Sequence, residues 1–283
     1  MTGIALRPFG GSGPSVTQVG LGGEGVLRTY GRENEARAVI EEAAAQGITY
    51  FDTAPAYSGS QGYYGRFWRS QTDLRQAVFQ TSKSAERSYA GAMADLKASL
   101  QIMGLESLDL WQIHDIRTRQ DIQEIEGPEG ALKAFLEARE TGLVRFLGVT
   151  GHHAPKILEH AVKNWSVDAV LMPVNPAEAV LGGFLDRVMG FAGDRGLAVI
   201  GMKVLGASHY ISQQHGVTAE LLLRFALSQP ISTAIVGCSS PAQVRALAEA
   251  GRNFEPLSKE EEMHLLELFR PHAGRLAYYR GAI

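Results

Sequence analysis

The 283-residue sequence predicts an α/β fold, a (β/α)8 TIM barrel with a short N-terminal β-ribbon and an extra C-terminal helix. Three observations lead there. Short apolar segments alternate with amphipathic helical ones from one end of the chain to the other, and eight apolar segments can be counted, the number that closes a barrel. A doubly wound open sheet would carry Gly-x-Gly-x-x-Gly after its first strand, and Gly22-Gly23-Glu24-Gly25 does not match it. Apolar strands each followed by a helix imply a parallel sheet covered on its outer face.

The elements follow in order. A Gly-Ser-Gly-Pro turn at 11–14 closes the ribbon, and a first buried strand runs through Val16–Gly20 into Gly22-Gly23. Arg32–Gln46 places Ala36, Val39, Ile40 and Ala43 on one side, an amphipathic helix closed by Gly47. Strand Ile48–Thr53 follows, then strand Ala77–Ser82 with helix Tyr89–Met103, and strand Leu108–His114 with helix Glu129–Thr141. Ile116–Pro128 between them reads as a charged loop at the pocket edge, with Arg117 and Arg119 facing solvent or a polar substrate. The remaining pairs are Phe146–Thr150 with Pro155–Asn164, Ala169–Val174 with Phe184–Arg195, Ala198–Val204 with Thr218–Ser228, and Ala234–Gly237 with Pro241–Ala250. A helix over Lys259–Phe269 precedes a tail containing Tyr278 and Tyr279, which either covers the mouth or packs below it. No linker rich in Pro, Ser or charge divides the series, so residues 1–283 read as one domain.

Composition narrows the function classes. A net charge of −3 gives no general attraction to nucleic acid or anionic lipid. The single cysteine, Cys238, excludes an intramolecular disulfide and fits a reducing compartment, and no segment reads as a leader or membrane span, so a cytoplasmic location is expected. At the start of a helix Cys238 reads as a small buried residue rather than a reactive thiol. Oligomeric state is not legible.

In such barrels the chemistry lies at the C-terminal ends of the strands. Asp52 ends the second strand in FDTAPAY, Lys83 the third in TSKS and His114 the fourth in QIHD. Alternation along a strand puts Gln112 and His114 on one face with Trp111 on the other, and groups Tyr50 with Asp52 opposite Phe51. Inward His114 and outward Trp111 follow. Tyr57 lies past Pro55, within reach of the mouth. A lysine there loses hydration, an aspartate beside it favours the charged form, and a cation beside a tyrosine stabilises the phenolate, drawing its pKa below about 10. A histidine can orient a carbonyl. None of these groups is a redox centre, so a hydride donor is required.

These residues resemble the aldo-keto reductase family, whose pattern is Asp-Thr-Ala-x-x-Tyr after the second strand, a lysine ending the third and a histidine ending the fourth. GLGG, GLVRFLGVTGHH, VIGMKVLG and IVGCSSPAQV extend the likeness over nearly the whole chain. The resemblance implies a reductase of a small-molecule carbonyl compound, with NADPH or NADH bound across the strand ends, Tyr57 as general acid, Lys83 and Asp52 tuning it, and His114 orienting the substrate oxygen. It further implies cofactor contacts from Gly23, Glu24, Asp52, Thr150, Gly151, Asn175, Met202, Lys203, Val204, Gly206, Gly237, Ser239 and Gln243. Thr150-Gly151-His152 stands where the family often has Ser-Asn, and Met202 where it often stacks an aromatic ring. No basic residue occupies Gly237 or Cys238, and Leu247 replaces a frequent asparagine, which weakens the preference of NADPH over NADH. Two other readings compete: an idle nicotinamide-binding accessory or sensing protein on the same barrel, and a metal-dependent lyase or hydrolase using His114, Asp115 and His152. The last lacks His-x-His or His-Glu-x-x-His spacing, and no metal is expected.

Overall fold

The computed structural model describes residues 3–281. Leu6–Pro8 (β1) and Ser15–Thr17 (β2) form the antiparallel ribbon. The barrel strands are Val19–Gly25 (β3), Tyr50–Phe51 (β4), Phe79–Ser84 (β5), Leu108–Ile113 (β6), Val144–Thr150 (β7), Ala169–Pro173 (β8), Ala198–Met202 (β9) and Thr233–Cys238 (β10). All eight run parallel, and β10 pairs with both β9 and β3 to close the ring.

The helices covering it are Glu33–Ala45 (α1), Ser60–Ser70 (α2), Thr72–Gln76 (α3), Tyr89–Met103 (α4), Arg119–Glu126 (α5), Ala131–Glu140 (α6), Pro155–Asn164 (α7), Pro176–Leu181 (α8), Met189–Asp194 (α9), Ala219–Ser228 (α10), Pro241–Arg252 (α11), Lys259–Phe269 (α12) and Ala273–Leu276 (α13). Among the described residues no helix is long and apolar enough to cross a membrane.

The alternation rule holds at the strands that matter. Tyr50, Phe79, Leu110 and Ile200 form a cluster inside the barrel, whereas Phe51 and Trp111 belong to the layer between strands and helices. Trp111 stacks on Phe135 of α6, with ring centroids 3.6 Å apart and planes within 5°. The ribbon plugs the N-terminal end of the barrel: the Phe9 ring lies 4.6 Å from Phe79 and 5.6 Å from Phe146. The opposite end is left for polar groups.

Several sequence expectations need correction. The first strand does not begin at Val16; that residue pairs with Arg7 in the ribbon, and the barrel strand starts at Val19. The second strand shrinks to Tyr50–Phe51, and the third is shifted to Phe79–Ser84, so Lys83 lies within it. Ser60–Ser70 was not expected as a helix because its glycines and serines mask a buried face of Tyr63, Tyr64, Phe67 and Trp68. The segment 116–128 is no loop. Thr118 and Asp121 form a reciprocal capping box that starts α5, which buries Ile122 and Ile125. In the expected helix Phe184–Arg195 the first turn, Phe184–Val188, is π-helical, with α8 preceding it.

Cutting Phe135 to alanine removes the face on which Trp111 stacks. Phe135→Ala should cost about 3–5 kcal/mol of unfolding free energy in a urea titration; a loss below about 1 kcal/mol would mean that this contact does not hold α6 to the barrel.

Candidate active site

Lys83 is the centre of the polar end. Its side chain has no exposed surface and that of Asp52 has 1%, and the ammonium donates to Asp52 Oδ1 at 2.6 Å. It also donates to the Thr53 carbonyl at 2.9 Å, while Thr81 Oγ1 donates to the same Asp52 oxygen at 2.9 Å. Thr81 sits two residues before Lys83 on the same inward face; alternation alone would have identified it. Burial pulls the Lys83 ammonium towards neutrality, and Asp52 opposes that pull.

The Tyr57 ring packs over this pair, with Lys83 Nζ 4.7 Å from the ring centre and the His114 ring edge-on at 5.7 Å between centroids. Gly23 makes the packing possible, since a β-carbon there would lie 2.3 Å from the Tyr57 ring. The expectation of a phenol drawn below its ordinary value is not met. Burial pushes Tyr57 well up and Asp52 and Glu24 add to the rise, while the Arg28 guanidinium opposes them. Desolvating a phenolate outweighs a cation that the neighbouring carboxylate already neutralises. His114 is pushed down to about 3, first by burial and then by Lys83, so its imidazole is neutral through the physiological range.

Ser58, Asp115 and Lys203 adopt left-handed backbone conformations, with φ of 49°, 55° and 58°, directly after Tyr57, His114 and Met202. Each costs on the order of 1 kcal/mol and persists because its surroundings hold it. The Asp115 amide donates to Thr150 Oγ1 at 2.7 Å, and its carboxylate accepts from Arg117 Nε at 2.8 Å and lies 3.2 Å from His152 Nε2. Arg117 is thus paired with Asp115.

Of the other expected cofactor contacts, Glu24, Met202, Lys203 and Gly206 line strand ends at the mouth or follow them directly. Val204 is buried in the outer core, and Gly151 is buried beneath α7, where a β-carbon would meet the Ile116 carbonyl at 3.2 Å. A β-carbon on Gly206 would run into Tyr210 at 2.4 Å, and one on Gly237 into Glu24 at 2.5 Å, so both glycines have packing reasons to be glycine. The Ser239 amide donates to Gln243 Oε1 at 2.7 Å beside Ser240, the N-cap of α11. Burial pushes the Cys238 thiol up to about 12, and Leu247 is a core residue of α11.

The tail covers one side of the mouth, one of the two placements between which the sequence does not decide. Asn175 Oδ1 caps α8 by accepting the Glu178 amide, and its Nδ2 donates to Tyr279 Oη at 2.9 Å and to the Lys203 carbonyl at 3.2 Å. Asn175 is therefore committed to the protein's own structure here. Tyr279 donates to the buried Glu178 carboxylate at 2.8 Å, Arg280 pairs with that carboxylate, and the Gly281 amide donates to the His153 carbonyl. His152 Nδ1 lies 3.3 Å from the Tyr279 carbonyl, and Lys203 Nζ lies 5.4 Å from the Tyr279 ring centre.

The family model described as "Aldo/keto reductase family" matches residues 18–210. Among curated proteins, L-galactose dehydrogenase of Arabidopsis thaliana is 29% identical over 165 residues, 53% of this chain and 50% of that protein. An aldo-keto reductase of Mycobacterium sp. (strain KMS) is 34% identical over 140 residues, 49% of this chain and 47% of that protein. The chain thus spans about half the length of the curated relatives it matches. Among solved structures, an aldo-keto reductase from Klebsiella pneumoniae in complex with NADPH superposes with a TM-score of 0.77 at 20% identity, covering 95% of this chain and 96% of that one. An aldo/keto reductase from Brucella melitensis gives 0.74 at 20% identity, covering 95% and 99%. At these identities the two structures establish the shared fold.

The state of His114 has a consequence for stability. An unfolded histidine titrates near 6.5 and the native one near 3, so between these values the unfolded chain binds the extra proton and stability rises with pH. The contribution is fully present above pH ~6.5 and lost as pH falls towards about 3. Urea unfolding across this range should show a shallower acid loss in His114→Asn than in the wild type; equal slopes would contradict a buried neutral imidazole.

Proposed function

The chain belongs to the aldo/keto reductase family, and from that premise we propose that it is a nicotinamide-dependent oxidoreductase interconverting an aldehyde or ketone with its alcohol. Tyr57 is the general acid, Lys83 and Asp52 hold and tune it, and His114 orients the substrate oxygen. The observation that carries this reading is the fully buried Lys83–Asp52 pair beneath the Tyr57 ring, with a neutral imidazole edge-on to the same ring.

The donor set fits a hydride-supplying partner. Among the described residues the mouth holds a proton donor and an oxygen-orienting imidazole, while the one thiol is buried and pushed up to about 12. A bound nicotinamide cofactor supplies the hydride. Holding it would fall to Gly23, Glu24 and Asp52 near the ring, to Thr150, Asn175 and Met202 on the far side, to Lys203 and Gly206 after β9, and to Gly237, Ser239 and Gln243 around the start of α11, whose amides suit a phosphate; Gly151 and Val204 are packed away from the mouth and take no direct part. For Asn175 and for the Ser239 amide this requires exchange of their present partners, Tyr279 and Gln243. We take NADPH as the cofactor, as in the Klebsiella protein, with NADH the alternative.

The residues' own work is then simple to state. His114 donates from a ring nitrogen to the substrate carbonyl oxygen. Tyr57 Oη passes its proton to that oxygen as the alcohol forms, and Lys83 Nζ stabilises the resulting phenolate while Asp52 Oδ1 holds the ammonium in place. Alcohol oxidation reverses each proton movement.

Removing the phenol tests this. Tyr57→Phe should lower NADPH-dependent reduction of an aldehyde panel by about a hundredfold or more while cofactor binding, followed by fluorescence, is kept. Undiminished turnover would rule out Tyr57 as the donor.

A further inference from the structure

One charged side chain in contact with Tyr57 has no part in the reading above. Arg28 ends the short turn Val26–Arg28 that follows β3, and its guanidinium carbon lies 5.1 Å from the centre of the Tyr57 ring. Lys83 Nζ lies 4.7 Å from the same centre, so two cations flank one ring.

The two cations differ in kind. Lys83 is wholly buried, and burial pulls its ammonium towards neutrality. Arg28 is 47% exposed, and a guanidinium stays charged at any pH the protein survives. Glu24 anchors it through an Nη1–Oε1 contact of 2.5 Å. No other hydrogen bond from the guanidinium to protein is formed among the described residues. An arginine free to extend into water is instead held beside the phenol that packs over Lys83.

We propose, resting on the reading of Tyr57 as proton donor, that Arg28 is a positioning residue for Tyr57: clamped by Glu24, it presses the ring onto Gly23 and supplies a permanent positive charge beside the phenol as its proton leaves. The groups facing Tyr57 make that charge count. Asp52 after β4, Glu24 on β3 and Asp115 after β6 all oppose a phenolate, His114 is neutral, and Tyr50 lies deeper in the barrel; Arg28 opposes the carboxylates from the solvent side.

The sign follows directly. A cation favours the phenolate, so removing Arg28 makes Tyr57 harder to deprotonate. In alcohol oxidation, where Tyr57 must accept the proton, the rising limb of kcat against pH moves to higher pH. A half-exposed charge at this distance is worth about one pH unit.

The experiment compares wild type, Arg28→Leu and Arg28→Lys with an uncharged alcohol and its aldehyde across pH. For Arg28→Leu we expect the oxidation limb to move up by about one unit and kcat near neutrality to fall about tenfold, with KM within about twofold and the thermal midpoint unchanged. Arg28→Lys, which keeps the charge, should restore most of the limb position. An unmoved limb in Arg28→Leu overturns the proposal, whether activity is intact, KM alone rises, or kcat falls without rescue by lysine. If Tyr57→Phe turns over like wild type, the reading of the donor itself has failed and this inference fails with it; a dead Tyr57→Phe beside an unmoved Arg28→Leu limb removes the role of Arg28 alone.

Discussion

An ammonium and a carboxylate with essentially no exposed surface, joined at 2.6 Å at the end of a barrel interior, set the terms for everything around them. Removing two charges from water is costly, and their attraction offsets it only when their remaining hydrogen-bonding capacity is met. Here the Thr53 carbonyl and the Thr81 hydroxyl meet part of it. Such a pair adds little to stability over an apolar substitute. What it provides is a charge fixed in place: β5 delivers Lys83, the end of β4 delivers Asp52, and Tyr57 is laid across them because Gly23 leaves room for its ring.

The mouth has two sides with different physics. Asp52, Lys83 and His114 stand at or just after β4, β5 and β6, together with Tyr57, Glu24 and Arg28, where half-exposed charges and a neutral imidazole meet. After β7, β8 and β9 the tail is tied down instead, through Tyr279 to Asn175 and Glu178 and through Gly281 to His153. Left-handed residues at Ser58, Asp115 and Lys203 mark both sides as places where the backbone is bent to aim a side chain or a peptide group.

The barrel and the strand-end candidates Asp52, Lys83 and His114 were legible because two simple periodicities carry them, and Tyr57 because FDTAPAY resembles the family's motif. Alternation along β6 separated His114 from Trp111, and the apolar repeat located all eight strands. Edges were not legible: β4 is only two residues long, and beyond it the Asp52 amide still donates to Leu21 while the Asp52 carboxylate and the Thr53 carbonyl accept from Lys83. Helix α5 was hidden by its charges, although Thr118 and Asp121 spell its cap. The paired tyrosines of the tail drew notice, but the partners of Tyr279 did not, and Arg28 carried no local signal, since these positions arise from contacts between segments far apart in the chain or folded back after a strand. The direction of the Tyr57 shift went the other way because a sequence shows the cation but not the depth of burial.

The most direct measurement is NADPH consumption with a carbonyl panel by Lys83→Met, compared with wild type at neutral pH under conditions where both remain folded. If the buried ammonium holds and tunes the proton donor, turnover falls by about a hundredfold or more while NADPH still binds. Turnover close to wild type with the fold intact would contradict the account, because the charge around which the site is built would then have no part in the chemistry.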